Sequence, residues 1–354
     1  MDPISQETKK LFELNRYVAH ISYVQENEVV PHFVSKSAYY LTRVGGVIIA
    51  RGNACLHRGM KLVAERRRMK PDQKIVCPLH TWSYDQWGEL YQTPGFDQDM
   101  NLSCLPKLQL QELNGRMFFE KESLNAWPGR RGDDSINQLF NRLREYGVNF
   151  SEFKFDQEMI SVCQQGWQAN MEVYLDSYNI NIRQPNTLGS YADFNDTKWQ
   201  FGNEWSLQYL PRTYLNEPRY QRPAALGWSK FKDAVLDSGW SEPWAALYAT
   251  IYPGMMIDCY PHAIAITQLV PVSSKLTGVY VHIFFDTYAQ TDLNLQNFFL
   301  DAFSEAAEED QRLHERLEDG WSFDQSTYAK LSDWGLHKEK QIGIERFGDW
   351  KVRQ

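Results

Sequence analysis

Short runs of β-branched and aromatic residues, broken by turn residues, fill the chain from Tyr17 to about Leu124. Val47-Ile48-Ile49-Ala50, Lys74-Ile75-Val76 and Arg116-Met117-Phe118-Phe119 are the clearest, and Asn114-Gly115 is a hairpin turn signal. The pattern predicts a small all-β domain over residues 1–125, N-terminal segment included. Trp127-Pro128-Gly129-Arg130-Arg131-Gly132-Asp133-Asp134 reads as a linker, and its Arg-Gly-Asp triplet as coincidence.

Past the linker the period changes. Helices are predicted near Ser135–Tyr146 and over Gln165–Asn179, the second ending before Pro185. Strand-like runs follow at Ala246–Ile251, Met255–Tyr260, Ala263–Val270 and Gly278–Asp286. A long helix is predicted over roughly Asp292–Asp319, with Gly320 as its C-cap signal. Strands followed by a long helix predict an α+β domain over residues 126–354, a sheet wrapped around that helix. Within it Phe303, Ala306, Asp310, Leu313 and Leu317 recur at steps of three and four. Asp310 therefore projects from the apolar face, where a carboxylate is rare unless paired or functional. A one-residue error of phase leaves it solvated beside Glu308 and Glu309 instead.

Two Cys/His couplets punctuate the β region: Cys55-Leu56-His57 and Cys77-Pro78-Leu79-His80. Each offers one thiolate and one imidazole from a loop. Two cysteines and two histidines suit a Rieske [2Fe-2S] cluster, in which imidazoles replace two thiolates on one iron and raise the reduction potential. The same four suit a structural zinc, although zinc sites usually pair Cys with Cys and His with His. The flanks Asn53-Ala54-Cys55-Leu56-His57-Arg58-Gly59 and Cys77-Pro78-Leu79-His80-Thr81-Trp82-Ser83-Tyr84-Asp85 resemble those of the ring-hydroxylating, Rieske-type non-haem iron oxygenase alpha-subunits. The basic stretch Glu65–Asp72 between the couplets reads as a solvated hairpin tip.

That resemblance implies a Rieske domain followed by a helix-grip domain with a mononuclear iron held by two histidines and a carboxylate. In the family both histidines lie in a stretch of the form Asp/Glu-x3-Asp-x2-His-x4-His after a Trp. Here Trp167, Glu172 and Asp176 match, while Asn179 and Gln184 occupy the histidine positions. No histidine lies between His80 and His262. An amide oxygen is a far weaker ligand than imidazole, so mononuclear Fe(II) is expected to bind poorly. Asp310 matches the family's acidic ligand. Asp176 matches its aspartate that links a cluster histidine of one subunit to the iron of the next; otherwise it is an ordinary helix acid. His262 and His282 fall on predicted strands, as inward-pointing side chains or as hydrogen-bonded core or surface residues.

Composition narrows the remainder. With 354 residues the chain has room for two domains, and a net charge of −8 argues against nucleic acid. Residues 1–14 lack the apolar core of a signal peptide, and no run is apolar enough to span a membrane. Cys104, Cys163 and Cys259 are scattered and read as small hydrophobes. The expected protein is cytoplasmic and takes electrons from a reductase or ferredoxin. By resemblance it is a relay or partner subunit, in a homotrimer or in a mixed ring with an intact homologue. The alternatives are an active mono- or dioxygenase with an atypical metal site, or a redox-regulated protein binding a small apolar ligand.

Overall fold

The computed structural model describes residues 4–6, 8, 12, 17–32, 38–96, 104–113, 117–120, 134–176, 184, 186–191, 197–211 and 225–320. The chain divides into two compact units: Asn15–Trp127, and Met1–Leu14 with Pro128–Gln354. Among the described residues no helix is long and apolar enough to cross a membrane.

The smaller unit is all β. Its strands are β1 (Tyr17–His20), β2 (Glu28–His32), β3 (Tyr39–Val44), β4 (Val47–Gly52), β5 (Arg67–Arg68), β6 (Ile75–Val76), β7 (Ser83–Tyr84), β8 (Leu90–Gln92), β9 (Lys107–Leu108), β10 (Leu110–Leu113) and β11 (Met117–Glu120). They form antiparallel sheets of order β5-β2-β3-β4-β9, β6-β7-β8 and β1-β11-β10. The β3–β4 hairpin turns on Gly45 and Gly46, both with positive φ, as a two-residue turn of this hand requires. The Glu26 carboxylate accepts both of their N–H groups, at 2.5 and 3.0 Å. Val29, Tyr40, Ile75, Trp82, Tyr84 and Leu105 form a core that also takes in Cys55 and Cys77. Asn114-Gly115 and most of the expected linker lie outside the described residues.

The larger unit is built on a seven-stranded antiparallel sheet of order β12-β18-β17-β16-β15-β14-β13. The strands are β12 (Lys154–Cys163), β13 (Lys198–Phe201), β14 (Trp205–Pro211), β15 (Trp244–Ile251), β16 (Met255–Tyr260), β17 (Ala263–Ser273) and β18 (Leu276–Phe285). The helices are α1 (Asp134–Glu145), α2 (Trp167–Leu175), α3 (Leu188–Tyr191), α4 (Leu226–Asp237) and α5 (Leu293–Gly320). Trp228 and Phe231 of α4 and Leu295, Phe299 and Ala302 of α5 pack on Tyr248, Tyr260, Ile283 and Phe285 of the sheet. The sheet therefore grips α5 through one apolar face.

Three expectations change in detail. The helix expected over Gln165–Asn179 spans only Trp167–Leu175. Gly166 keeps extended backbone at its start, where a Cβ would lie 2.6 Å from the Ser274 carbonyl oxygen, and Asp176 has already left helical geometry. Gly320, expected as the C-cap signal, is the last described residue of the helix. At the other end, Asp292 Oδ1 accepts the N–H groups of Asn294 and Leu295 and fixes the start of α5. β12, β13, β14, α3 and α4 have no counterpart in the sequence reading. β12 is an edge strand with Ile160 and Val162 exposed, so burial does not enforce an apolar alternation along it.

Candidate functional site

The two couplets sit on loops of one design. The Cys55 N–H donates to the Met60 carbonyl at 2.8 Å, and the Cys55 carbonyl accepts from Gly59 N–H at 2.8 Å. The Cys77 N–H donates to the Trp82 carbonyl at 2.8 Å, and the Cys77 carbonyl accepts from Thr81 N–H at 3.1 Å. Both loops close four and five residues after their cysteine, and both put the fourth in the left-handed region: Gly59 at φ 71° and Thr81 at φ 59°. The Thr81 hydroxyl donates to the His80 carbonyl at 2.7 Å.

These loops bury the two thiols and leave the imidazoles nearer the surface, His57 half-buried and His80 exposed. The rings of His57 and His80 are 4.7 Å apart between centroids, and Trp82 stacks on His57 at 5.0 Å and 15°. Partial desolvation, then His80 and Arg58, hold His57 below its ordinary value, which favours the neutral ring a metal needs. Tyr84 reaches the first loop from β7. Its hydroxyl accepts the Leu56 N–H at 3.0 Å, so its own proton is directed to Cys55 Sγ at 3.2 Å. Burial and this contact raise the phenol well above its usual range, which keeps it a donor.

Donor set and geometry fit a [2Fe-2S] cluster held by Cys55, Cys77, His57 and His80. A zinc would gather all four donors around one point, yet no three His, Cys, Asp or Glu side chains converge on an ion position among the described residues. A diiron cluster asks for only two protein donors at each iron.

The larger unit encloses a cavity of about 430 Å³ between the sheet, α2 and α5. Its acidic lining residues are Asp176, Asp258, Glu308 and Asp310, and no Lys, Arg or His is among the described residues that line it. Gln208, Tyr248 and Asp258 are opposite one another on adjacent strands β14, β15 and β16, forming one row across the cavity floor. The Tyr174 hydroxyl, from α2, donates to Asp258 Oδ1. Burial raises Asp258 to about 7, against the lowering effect of that hydrogen bond. Asp310 also rises to about 7, through burial and then the charges of Glu309 and Asp258.

Gln184 and Asp310, which the resemblance pairs as a histidine position and the acidic ligand, meet each other: Gln184 Nε2 donates to Asp310 Oδ1 at 2.6 Å. Asn179 lies outside the described residues. His262 and His282 do not enter the cavity. His262 bridges Asp286 Oδ2 and Ser238 Oγ, both at 2.8 Å, and His282 Nε2 meets Glu158 Oε1 at 3.0 Å. The described residues here thus do not fit iron held by two imidazoles and a carboxylate. Asp176 caps α2 and lines the cavity. Tyr84, Tyr174, Gln208 and Asp258 were not assigned by sequence; only Tyr84 carried a signal, as part of the second loop's flank.

Residues 15–110 match the family model described as the Rieske [2Fe-2S] domain. Putrescine 2-hydroxylase of Ralstonia nicotianae is 27% identical over 322 residues, covering 87% of this chain and 82% of that protein. Among solved structures, the quaternary ammonium Rieske monooxygenase CntA superposes with a TM-score of 0.72 at 18% identity, over 98% of this chain and 91% of that one. Naphthalene 1,2-dioxygenase from Rhodococcus sp. gives 0.65 at 16% identity, over 88% and 79%. The two structures share this α+β fold. With the matched domain, the twin cysteine–histidine loops and a relative aligned over most of the chain, this protein belongs to the Rieske-type non-haem iron oxygenase alpha-subunit family.

Proposed function

We propose that the protein is an oxidoreductase that binds a small organic cation in its acidic cavity and receives electrons one at a time from a separate reductase or ferredoxin. The cavity carries this reading: four carboxylates and no basic group among the described residues lining it. A buried carboxylate without a counter-ion is costly; Asp258 is buried and Asp310 half-buried, and none of the ion pairs among the described residues involves either. A cationic ligand supplies the missing charge. Putrescine 2-hydroxylase and the quaternary ammonium monooxygenase are both named for cationic substrates, and both names speak for activity rather than a purely relaying role.

Cys55, Cys77, His57 and His80 would hold the [2Fe-2S] group, which supplies single-electron transfer when bound. Tyr84 Oη would donate its proton to Cys55 Sγ, and the half-buried His57 and exposed His80 rings would present the electron exit. The test is anaerobic reconstitution followed by aerobic turnover with a reductase and a panel of small amines and neutral isosteres. Amine-dependent consumption of reductant and oxygen is the expected outcome. A fully reducible protein that consumes no amine overturns it.

The Gln184–Asp310 hydrogen bond favours a second reading, a relay or partner subunit that feeds a neighbouring chain in a trimer or mixed ring. Asp176 would then lie on the route between subunits. Iron near two per chain, no turnover alone, and stimulation of an intact homologue would select this reading.

A further inference from the structure

We infer that the cavity floor reads two groups on its ligand, an ammonium at Asp258 and a neutral hydrogen-bond acceptor at Gln208. The inference rests on the cation-binding reading above and adds what the cation must carry.

Asp258 is 8% exposed. Tyr174 occupies Oδ1, and among the described residues no donor is recorded on Oδ2. The rings of Tyr174 and Tyr260 flank Tyr248 edge-on at 6.4 and 5.7 Å between centroids. An ammonium placed at Asp258 would therefore share its cavity with three tyrosine rings as well as a carboxylate, and both kinds of group attract a cation.

Gln208 is 2% exposed, and its amide nitrogen has no hydrogen-bond partner. An orphaned buried amide costs roughly 1–3 kcal/mol, so a group that restores its partner gains affinity. Register sets the spacing. Gln208 pairs with Tyr248 and Tyr248 with Asp258, so the two polar residues stand two strands apart, roughly 9–10 Å between backbones. Side chains two strands apart on one face can lean together and close part of that gap. The span left suits a short aliphatic chain with nitrogen at one end and oxygen at the other. The surrounding acids disfavour a carboxylate as that oxygen. The ligand class is thus a small amino alcohol, or a diamine acylated at one end.

Calorimetric titration of the cluster-loaded protein with n-butylamine, 4-aminobutan-1-ol, 1,4-diaminobutane and 4-aminobutanoate tests this. The amino alcohol is expected to bind about tenfold tighter than butylamine, one good neutral hydrogen bond's difference, and the aminobutanoate weakest. Gln208→Leu should abolish that advantage, so that the amino alcohol binds no tighter than butylamine. Asp258→Asn should weaken every cation at least about tenfold. Gln208→Glu, which keeps the size and polarity of the site should the leucine variant not fold, should reverse the order in favour of the diamine. Butylamine binding as tightly as the amino alcohol, or a ratio unmoved by both Gln208 variants, overturns the inference and leaves cation binding standing. Failure of every cation to bind overturns both.

Discussion

Gln184 directs its side-chain amide onto the Asp310 carboxylate at 2.6 Å, joining the segment ahead of α3 to α5. By the resemblance read from the sequence, Asp310 matches the acidic ligand and Gln184 a histidine position, and this contact joins the two. Restoring His at both positions removes the amide donor and supplies two nitrogen ligands. The Asn179→His/Gln184→His variant is expected to bind Fe(II) at the second site at least about tenfold tighter than the parent, since even changes behind a metal's direct ligands move affinity by 10–100-fold. Anaerobic iron titration of cluster-loaded protein measures it. Equal affinity would mean that the backbone no longer presents a ligand triad.

Tyr84 Oη lies 3.2 Å from Cys55 Sγ, and a hydrogen bond from the phenol to a cluster thiolate there would stabilise the more negative, reduced state. Tyr84→Phe is therefore expected to lower the reduction potential while the cluster still assembles. It also strips the Leu56 N–H of its partner. Redox titration followed by electron paramagnetic resonance gives the direction. An unchanged potential with an intact spectrum would show that the contact does not reach the metal.

Most of the cluster site was legible because it is local. Each couplet lies on a loop closed within six residues, and backbone hydrogen bonds within that span set its geometry. The cavity was not legible for the opposite reason. Gln208, Asp258 and Asp310 are brought together only by strand register and helix packing, and no window of sequence contains two of the three. The apolar stripe on α5 did place Asp310 toward the interior. The small apolar ligand expected as one alternative is a ligand for this second domain. Tyr174, Tyr248 and Tyr260 do line the cavity, yet the carboxylates among them change its chemistry.

Burial of Asp258 makes stability depend on pH. Its folded value of about 7 stands above the unfolded 3.8. Below 3.8 both states are protonated and the stability is fully present. As pH rises toward 7 the unfolded chain ionises first, so stability falls and then levels off above about 7. Asp258→Asn removes the ionisation and keeps an acceptor for Tyr174. Without amine ligand, it should leave the melting temperature nearly unchanged at pH 4 and raise it at pH 8, by a free energy of up to about 4 kcal/mol. Thermal melts of the two proteins across pH 4–8 report it, and parallel curves would show that the carboxylate is well solvated.

Gly227 decides how closely α4 approaches α5. A Cβ there would lie 2.7 Å from the Ala302 nitrogen and 2.8 Å from the Asp301 carbonyl carbon, both backbone atoms that cannot turn aside. The contact also brings Glu305 to the start of α4, where its carboxylate accepts the N–H groups of Gly227 at 3.0 Å and Trp228 at 3.3 Å, a charge suited to a helix N-terminus. Gly227→Ala must push the helices apart, stretching those bonds and opening the Trp228, Phe231 and Phe299 packing, at a cost of about 1–3 kcal/mol. Leu226 next to it is 67% exposed, so Leu226→Ala is expected to stay within about 0.5 kcal/mol of the parent. Because α5 also carries Asp310, the glycine variant should weaken cation binding along with lowering the melting temperature. Its visible cluster spectrum should be unchanged, since the four cluster residues fold within the other unit. Loss of the spectrum together with the fold would show instead that the two units melt as one.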